Sequence, residues 1–334
     1  MFFGAAQDGH DAKYADVLAL ARTADTLGFT AVWTPERHSQ HVGQVFSSPP
    51  ALSAALAMVT ERVALRAGSV VLALHHPLRV AEEWALVDNL SGGRAGLSVA
   101  TGWHAADFVL APEHFADRRA RAHEAIPVLR RLWSGEEVEF ADGNGRPVAV
   151  RSQPRPVSPT LPLWLTSSGN PETWEVAGRL RTNVLAATAG QSRAELAEKI
   201  QRYRDAYRRA PQQPGTPDRG TVTLMAHAYV GSDDAEALRR VRRPLLEYLT
   251  AYLSQAADRG LTAQQADALG EYALRRYLAW GSLLGSAETC RRNLRDLHEL
   301  GCDEVACFVD FGLGRADVEA SLHRLAELHR KEFT

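Results

Sequence analysis

Cysteine is scarce in this chain of 334 residues, and the three present, Cys290, Cys302 and Cys307, form neither a CxxC pair nor an even set. A disulfide framework is therefore not expected, and they read as reduced thiols of a cytosolic protein. No run of 18 apolar residues occurs, so there is no candidate membrane-spanning helix, and no signal-peptide pattern is visible. The expectation is a cytoplasmic protein. Neither sign of charge dominates: 38 basic residues face 40 acidic ones, with no long block of either. That leaves no electrostatic footprint for nucleic acid or an anionic membrane surface. Also missing are a P-loop and a GxGxxG, so an ordinary dinucleotide fold is unsupported. Gly312-Leu313-Gly314 follows a strand but lacks a third glycine.

What is present is best seen between Arg62 and Phe108. Val63 to Leu72 is an apolar, β-branched run long enough for a strand. Pro77 opens a helical pattern in Leu78, Ala81, Ala85, Leu86, Val87 and Leu90, which Gly92 and Gly93 stop. Ala95 to Ala100 is a second apolar strand. Each strand ends in chemistry, Leu74-His75-His76 after the first and Thr101-Gly102-Trp103-His104 after the second. Polar groups at the C-terminal ends of successive parallel strands are how an α/β barrel builds an active site.

The same alternation runs through the chain. Strands are predicted over Phe2–Gln7, Phe29–Trp33, Leu161–Thr166, Asn183–Ala187, Val222–Val230 and Glu304–Val309, with helices between. Asp142-Gly143-Asn144-Gly145 marks a hairpin excursion before strand five. The segment from Asp233 to about Leu284 is longer than one barrel helix and predicts a helical insertion between strands seven and eight. The fold class expected is α/β, a TIM (β/α)8 barrel. Such barrels take about 250 residues before insertions, so residues 1–334 are expected to form a single barrel domain with no internal repeat.

Several rim residues carry candidate chemistry, each with a plainer reading. His38, His75 and His104 follow successive strands, and histidine is the side chain type suited to moving protons at cellular pH. Structural hydrogen bonding is the default for any one of them, and their recurrence at strand ends is what favours catalysis. His75-His76 hints at a metal, but adjacent side chains diverge and no third ligand has a recognisable spacing, so no metal is expected. Cys302 and Cys307 read as packing residues. Thr166-Ser167-Ser168-Gly169-Asn170-Pro171 joins a strand to a helix N-terminus and suits a phosphate, the alternative being a plain capped turn. Asp88, Gly92, Gly93 and Arg94 read as architecture, and Glu82 or Glu83 as an arginine partner.

These stretches resemble the bacterial luciferase-like flavin-dependent monooxygenases, in the branch of natural-product biosynthesis, stand-alone or embedded in synthetases. The matching segments are Thr34-Pro35-Glu36-Arg37-His38, Arg66 to Leu72, His75 to Trp84, Val87 to Arg94, Gly102-Trp103-His104 with Asp107-Phe108, Pro162 to Thr173, and Asp303 to Cys307. They span almost the whole chain in order.

The resemblance implies a barrel that binds reduced FMN, reacts it with oxygen and uses the flavin hydroperoxide to oxygenate a substrate. It places the isoalloxazine at the C-terminal mouth and the phosphate near the ends of the fourth and fifth strands, here Thr101, Gly102 and Trp103, and Thr166, Ser167, Ser168, Gly169 and Asn170. It also implies a non-prolyl cis peptide under the flavin near Gly68-Ser69. Two departures stand out. Where luciferases have a catalytic histidine after the glutamate, this chain has Arg37, a cation suited to an anionic flavin or peroxide but not to proton transfer. Base work then falls to His38, His75 or His104. The luciferase phosphate-binding arginine after strand four corresponds to Thr101, which shifts that task to the Ser167-Ser168-Gly169 loop. The implied partners are a separate NAD(P)H-dependent flavin reductase, a small-molecule or carrier-protein-bound substrate, and a second copy in a homodimer. A deazaflavin-dependent hydride-transfer enzyme and a non-catalytic flavin-binding barrel are the alternatives on the same fold.

Overall fold

The computed structural model of the chain describes residues 1–4, 13–38, 46–167, 169–256 and 262–333. Its elements begin with α1 (Lys13–Leu27), β1 (Ala31–Thr34), α2 (Pro49–Ala57), β2 (Ala64–Val71), α3 (Pro77–Ser91) and β3 (Ala95–Ala100). Next come α4 (Arg118–Ser134), β4 (Val138–Ala141), β5 (Pro147–Val150), β6 (Leu163–Ser167), α5 (Pro171–Arg179), β7 (Asn183–Ala187) and α6 (Arg193–Arg209). The last are β8 (Val222–Val230), α7 (Asp234–Ala256), α8 (Ala263–Ala279), β9 (Leu283–Gly285), α9 (Ala287–Glu299), β10 (Glu304–Phe308) and α10 (Arg315–Phe333).

Strands β1, β2, β3, β6, β7, β8 and β10 pair in that order, every neighbour parallel. The chain's opening residues close the ring. Phe2 bridges both Trp33 and Phe308. The Trp33 N–H donates to the Met1 carbonyl at 2.9 Å and the Phe2 N–H to the Cys307 carbonyl at 2.8 Å. The strand expected over Phe2–Gln7 thus pairs at its first residues, and its remainder, from residue 5 on, lies outside the described residues.

Local sequence sets the boundaries of α3. Pro77 stands at its start, where an N–H is not needed, and His76 caps it by accepting the Leu78 N–H at 3.3 Å. Gly92, at φ 68°, ends it in the left-handed conformation that glycine adopts without a steric penalty. The following turn is architecture, as its composition suggests. The Arg94 guanidinium donates to the carbonyls of Ser91, Val63 and Thr60 at 2.7–2.8 Å. Asp88, fully buried, accepts from the Ser158 N–H at 2.7 Å and hydroxyl at 2.9 Å. Of the two acidic neighbours on α3, Glu83 pairs with Arg79 at 2.6 Å.

Both excursions are present. β4 and β5 form an antiparallel hairpin whose turn is organised by Asp142, accepting the Asn144 and Arg146 N–H groups. After β8 the chain makes α7 and α8, then β9 alongside β8, and returns through α9 to β10. Inside the barrel, Arg66 lies between the rings of Trp33 and Trp164, 5.0 and 4.5 Å from their centroids. Its guanidinium is held by both oxygens of Glu304 at 2.6 and 2.9 Å. This plug fills the interior and gives the mouth above it a floor.

Candidate active site

A cavity of about 230 Å³ opens at the C-terminal ends of the strands. Glu36 and Arg37 reach it from β1, Ser69 and Val71 from β2, Thr101 to Trp103 from β3, and Thr166 and Ser167 from β6. Leu185, Met225 and Phe308 complete the barrel's share, and Tyr248 and Tyr252 close it from α7. A larger cavity, about 630 Å³, lies at the opposite end of the barrel. Its wall is largely aliphatic, and its acidic groups are already engaged, Asp303 by Arg204 and Arg219 and Glu304 by Arg66. The N-terminal end of a barrel is its stability end, so the smaller cavity is the candidate site.

Glu36 is the electrostatic centre of the rim. Its side chain is 2 % exposed, and one oxygen is shared by His75 Nε2 at 2.6 Å and His38 Nε2 at 2.8 Å. The other accepts the Val71 N–H at 2.6 Å. Burial alone would raise the carboxyl pKa, but the hydrogen bonds from His38 and His75, the charge of His75 and the Val71 N–H outweigh it and hold the carboxyl below its ordinary value. His75 shows the converse. Burial disfavours its protonated form, yet the hydrogen bond and charge of Glu36 prevail and its pKa is raised. Glu36 lines the cavity whereas the His75 ring is 30 % exposed, so the pair links the pocket to solvent.

Floor and walls are hydroxyl-rich. The Thr166 hydroxyl hydrogen-bonds with those of Ser69 and, at 2.6 Å, Ser98. The Gly68–Ser69 peptide is cis, at the position the sequence resemblance implies. Gly68 has no room for a side chain, since a Cβ would lie 2.6 Å from the Phe2 ring. Gly102 has φ 77°, and a Cβ there would meet the Phe108 ring at 2.6 Å.

The expected site residues divide into two groups. Arg37, Gly68, Ser69, Thr101, Gly102, Trp103, Thr166 and Ser167 come together around the cavity. His38 and His75 stand behind it, connected through Glu36. His104 lies beside Trp103, its Nδ1 3.9 Å from Asp107 and without a hydrogen-bond partner. Gly169 and Asn170 are outside the wall, and Ser168 lies outside the described residues. Asn170 is the N-cap of α5, its side chain accepting the Glu172 N–H at 3.0 Å and its carbonyl the Thr173 N–H. The first-turn amides are thus partly spent on the cap. The three cysteines are buried, and burial pushes the thiols of Cys290 and Cys302 up to about 12, as packing residues require. Among the described residues no group of three His, Cys, Asp or Glu side chains could hold a metal ion.

Glu36, Tyr248, Tyr252 and Phe308 were not identified from sequence as site residues. Glu36 had a legible signal, a carboxylate between Pro35 and two basic residues at a strand end. The tyrosines had a weaker one, an i, i+4 aromatic pair within the insertion.

The sequence profile of the family described as luciferase-like monooxygenase matches residues 1–304. The chain belongs to that family. It is 26 % identical over 322 residues to the oxygenase component of the flavin-dependent trigonelline monooxygenase of Acinetobacter baylyi, covering 93 % of this chain and 88 % of that one. Among solved structures, the monooxygenase RslO1 of Streptomyces bottropensis superposes with a TM-score of 0.81 at 23 % identity over the full length of both chains. The oxygenating constituent of 3,6-diketocamphane monooxygenase of Pseudomonas putida, in complex with FMN, superposes with a TM-score of 0.74 at 17 % identity, covering 98 % of this chain and 95 % of that one. The luciferase-like monooxygenase barrel is therefore the fold of this chain.

Proposed function

We propose that this luciferase-like monooxygenase is the oxygenase component of a two-component system. It binds reduced FMN delivered by a separate NAD(P)H-dependent reductase and oxygenates a natural-product intermediate, free or carrier-bound. The observation that carries the reading is the composition of the C-terminal pocket. Val71, Ala100, Leu185 and Ala186 give it apolar surface for a flat heterocycle, while Ser69, Thr101, Thr166 and Ser167 give it donors for a polar edge or phosphate. That set fits FMN. When bound, reduced FMN supplies the reaction with oxygen.

The chain's own groups supply the rest. Ser69, Thr166 and Ser98 form a chain of hydroxyls that can reorient to donate or accept at the floor. Glu36 stays ionised and keeps a proton on His75 to a higher pH than a free imidazole would hold it. His75 is partly exposed, so it exchanges protons with solvent and holds one against Glu36 at the edge of the pocket, with His38 bound to the same oxygen. Tyr248, Tyr252 and Trp103 cover the mouth and limit the entry of water. The same reading gives a cytoplasmic homodimer, supported by the family resemblance. Among the described residues no helix is long and apolar enough to cross a membrane.

The deciding experiment compares two reduced cofactors. Oxygen uptake should appear with FMN and a generic NADH-driven reductase, with reduced FMN binding measured anaerobically. Turnover with a reduced deazaflavin in the absence of oxygen, together with no affinity for reduced FMN, would replace this reading by hydride transfer.

A further inference from the structure

Among the described residues, the charges around the pocket do not balance. Glu36 is compensated by two imidazoles and a backbone N–H. Arg66, beneath the floor, is neutralised by Glu304. Asp107, at the edge, is buried with a partner of its own. Arg37 is different. Its backbone N–H donates to Phe46, but its guanidinium makes no ion pair or hydrogen bond with any described residue. Its charge is felt at Tyr248, where burial raises the hydroxyl pKa and Arg37 opposes that rise.

The wall facing this cation is a set of rings. Tyr248 and Tyr252 are four apart on α7, and their rings lie near-parallel, 6.2 Å between centroids at 20°. Trp103 continues the wall 5.8 Å from Tyr252 and is 46 % exposed, a large apolar ring left open to a ligand. Phe308 closes the inner end edge-on, 5.3 Å from Tyr248. Stacked rings beside a lone guanidinium would strand that charge against an aliphatic, neutral ligand. A flat ligand carrying a negative group satisfies both features, by stacking and by a charge-assisted hydrogen bond.

We infer that the substrate is a planar aromatic molecule bearing an acidic group, its ring held by Tyr248, Tyr252 and Trp103 and its anion by Arg37. This names the substrate class of the site just described and rests on that reading of the pocket, but its test does not require turnover. The probes are 2-naphthoate, neutral 2-naphthamide and aliphatic octanoate, titrated calorimetrically with and without reduced FMN under anaerobic conditions. The wild-type protein should bind 2-naphthoate at least about tenfold more tightly than 2-naphthamide, a difference of about 1.4 kcal/mol. Arg37→Gln should erase that ratio, Arg37→Lys should keep most of it, and Tyr252→Leu should weaken 2-naphthoate more than octanoate. Equal affinity for acid and amide, no detectable 2-naphthoate binding, or a ratio that survives Arg37→Gln would each overturn the inference. So would an Arg37→Gln protein that loses reduced FMN but keeps 2-naphthoate, since Arg37 would then serve the flavin. If 2-naphthoate discriminates as expected while reduced FMN binds nowhere, the flavin reading falls and the substrate class stands.

Discussion

Glu36 is the residue whose removal should be most informative, because one buried carboxylate serves three donors. Glutamine in its place keeps the shape and one acceptor oxygen but removes the charge that His38, His75 and the Val71 N–H all face. A hydrogen bond to a buried charge is worth about 1.5–3 kcal/mol, and Gln preserves part of the network, so Glu36→Gln should cost about 2 kcal/mol near pH 6. Full removal by Glu36→Ala should cost about 3–5 kcal/mol. The pH dependence is the sharper signature. Glu36 has a lowered folded pKa, so its contribution is present above the ordinary carboxyl value of 4.5 and is lost as pH falls through the folded value. His75 has a raised folded pKa, so its contribution is complete below 6.5 and is lost as pH rises through the folded value. The stability gap between wild type and Glu36→Gln should therefore be widest between about pH 4.5 and 6.5 and narrow on both sides. Urea unfolding from pH 4 to 9 measures it. A gap that stays constant across that range would refute the network as drawn here.

Two further outcomes follow from buried polar groups away from the pocket floor. Arg94→Met should lower stability by about 2–4 kcal/mol, through three orphaned carbonyls, while leaving FMN affinity unchanged because Arg94 sits at the far end of its strand; a matching loss of FMN affinity would contradict its purely architectural role. Asp310 is raised by burial to about 6 despite Lys13 at 3.2 Å, so its ionised form weakens the fold and stability declines as pH rises from about 4 to 6. Asp310→Asn should raise stability at pH 8 by up to about 3 kcal/mol, with the gain gone by about pH 4; a gain of equal size at both pH values would count against it.

The architecture was legible because each stave and helix carries its own punctuation. Pro77 and Gly92 bracket α3, Ser192 and Glu195 form the box that starts α6, and the Asp142–Gly145 turn announces the hairpin. Such signals act over four or five residues, which is the range a sequence displays. The candidate pocket was legible where residues lie at or just past the C-terminal end of a strand, as Arg37, Ser69, Thr101 to Trp103 and Thr166 do. What escaped depends on contacts across 35 to 40 positions, such as the Glu36 carboxylate meeting His75 and Val71. Equally, nothing local distinguished His75, tied into that network, from His104, whose ring turns toward Trp103 and Asp107. Asn170 illustrates the opposite error of emphasis: its residue type suits an anion site, yet its side chain is engaged in capping α5.

The pocket draws on two kinds of support, and this bears on how its parts tolerate change. Glu36, Ser69, Thr101 and Thr166 sit at the ends of hydrogen-bonded strands, where a shift in one stave disturbs its neighbours through a shared register. Tyr248 and Tyr252 sit on α7, whose main packing partner is α8 of the same insertion. Substitutions on the exposed face of α7 can therefore reshape the aromatic wall without moving the Glu36–His75 pair. On the proposed reading, the groups that handle protons are fixed by the barrel, whereas two of the three rings that would hold the ligand, Tyr248 and Tyr252, are carried by a module outside it and the third, Trp103, follows β3. Arg37 stands at the junction, one residue from Glu36 in sequence and close enough to Tyr248 for its charge to act there. A substitution there therefore acts on the preference for ligand charge and on the electrostatics of the aromatic wall together, and paired binding and turnover measurements on Arg37→Gln resolve the two.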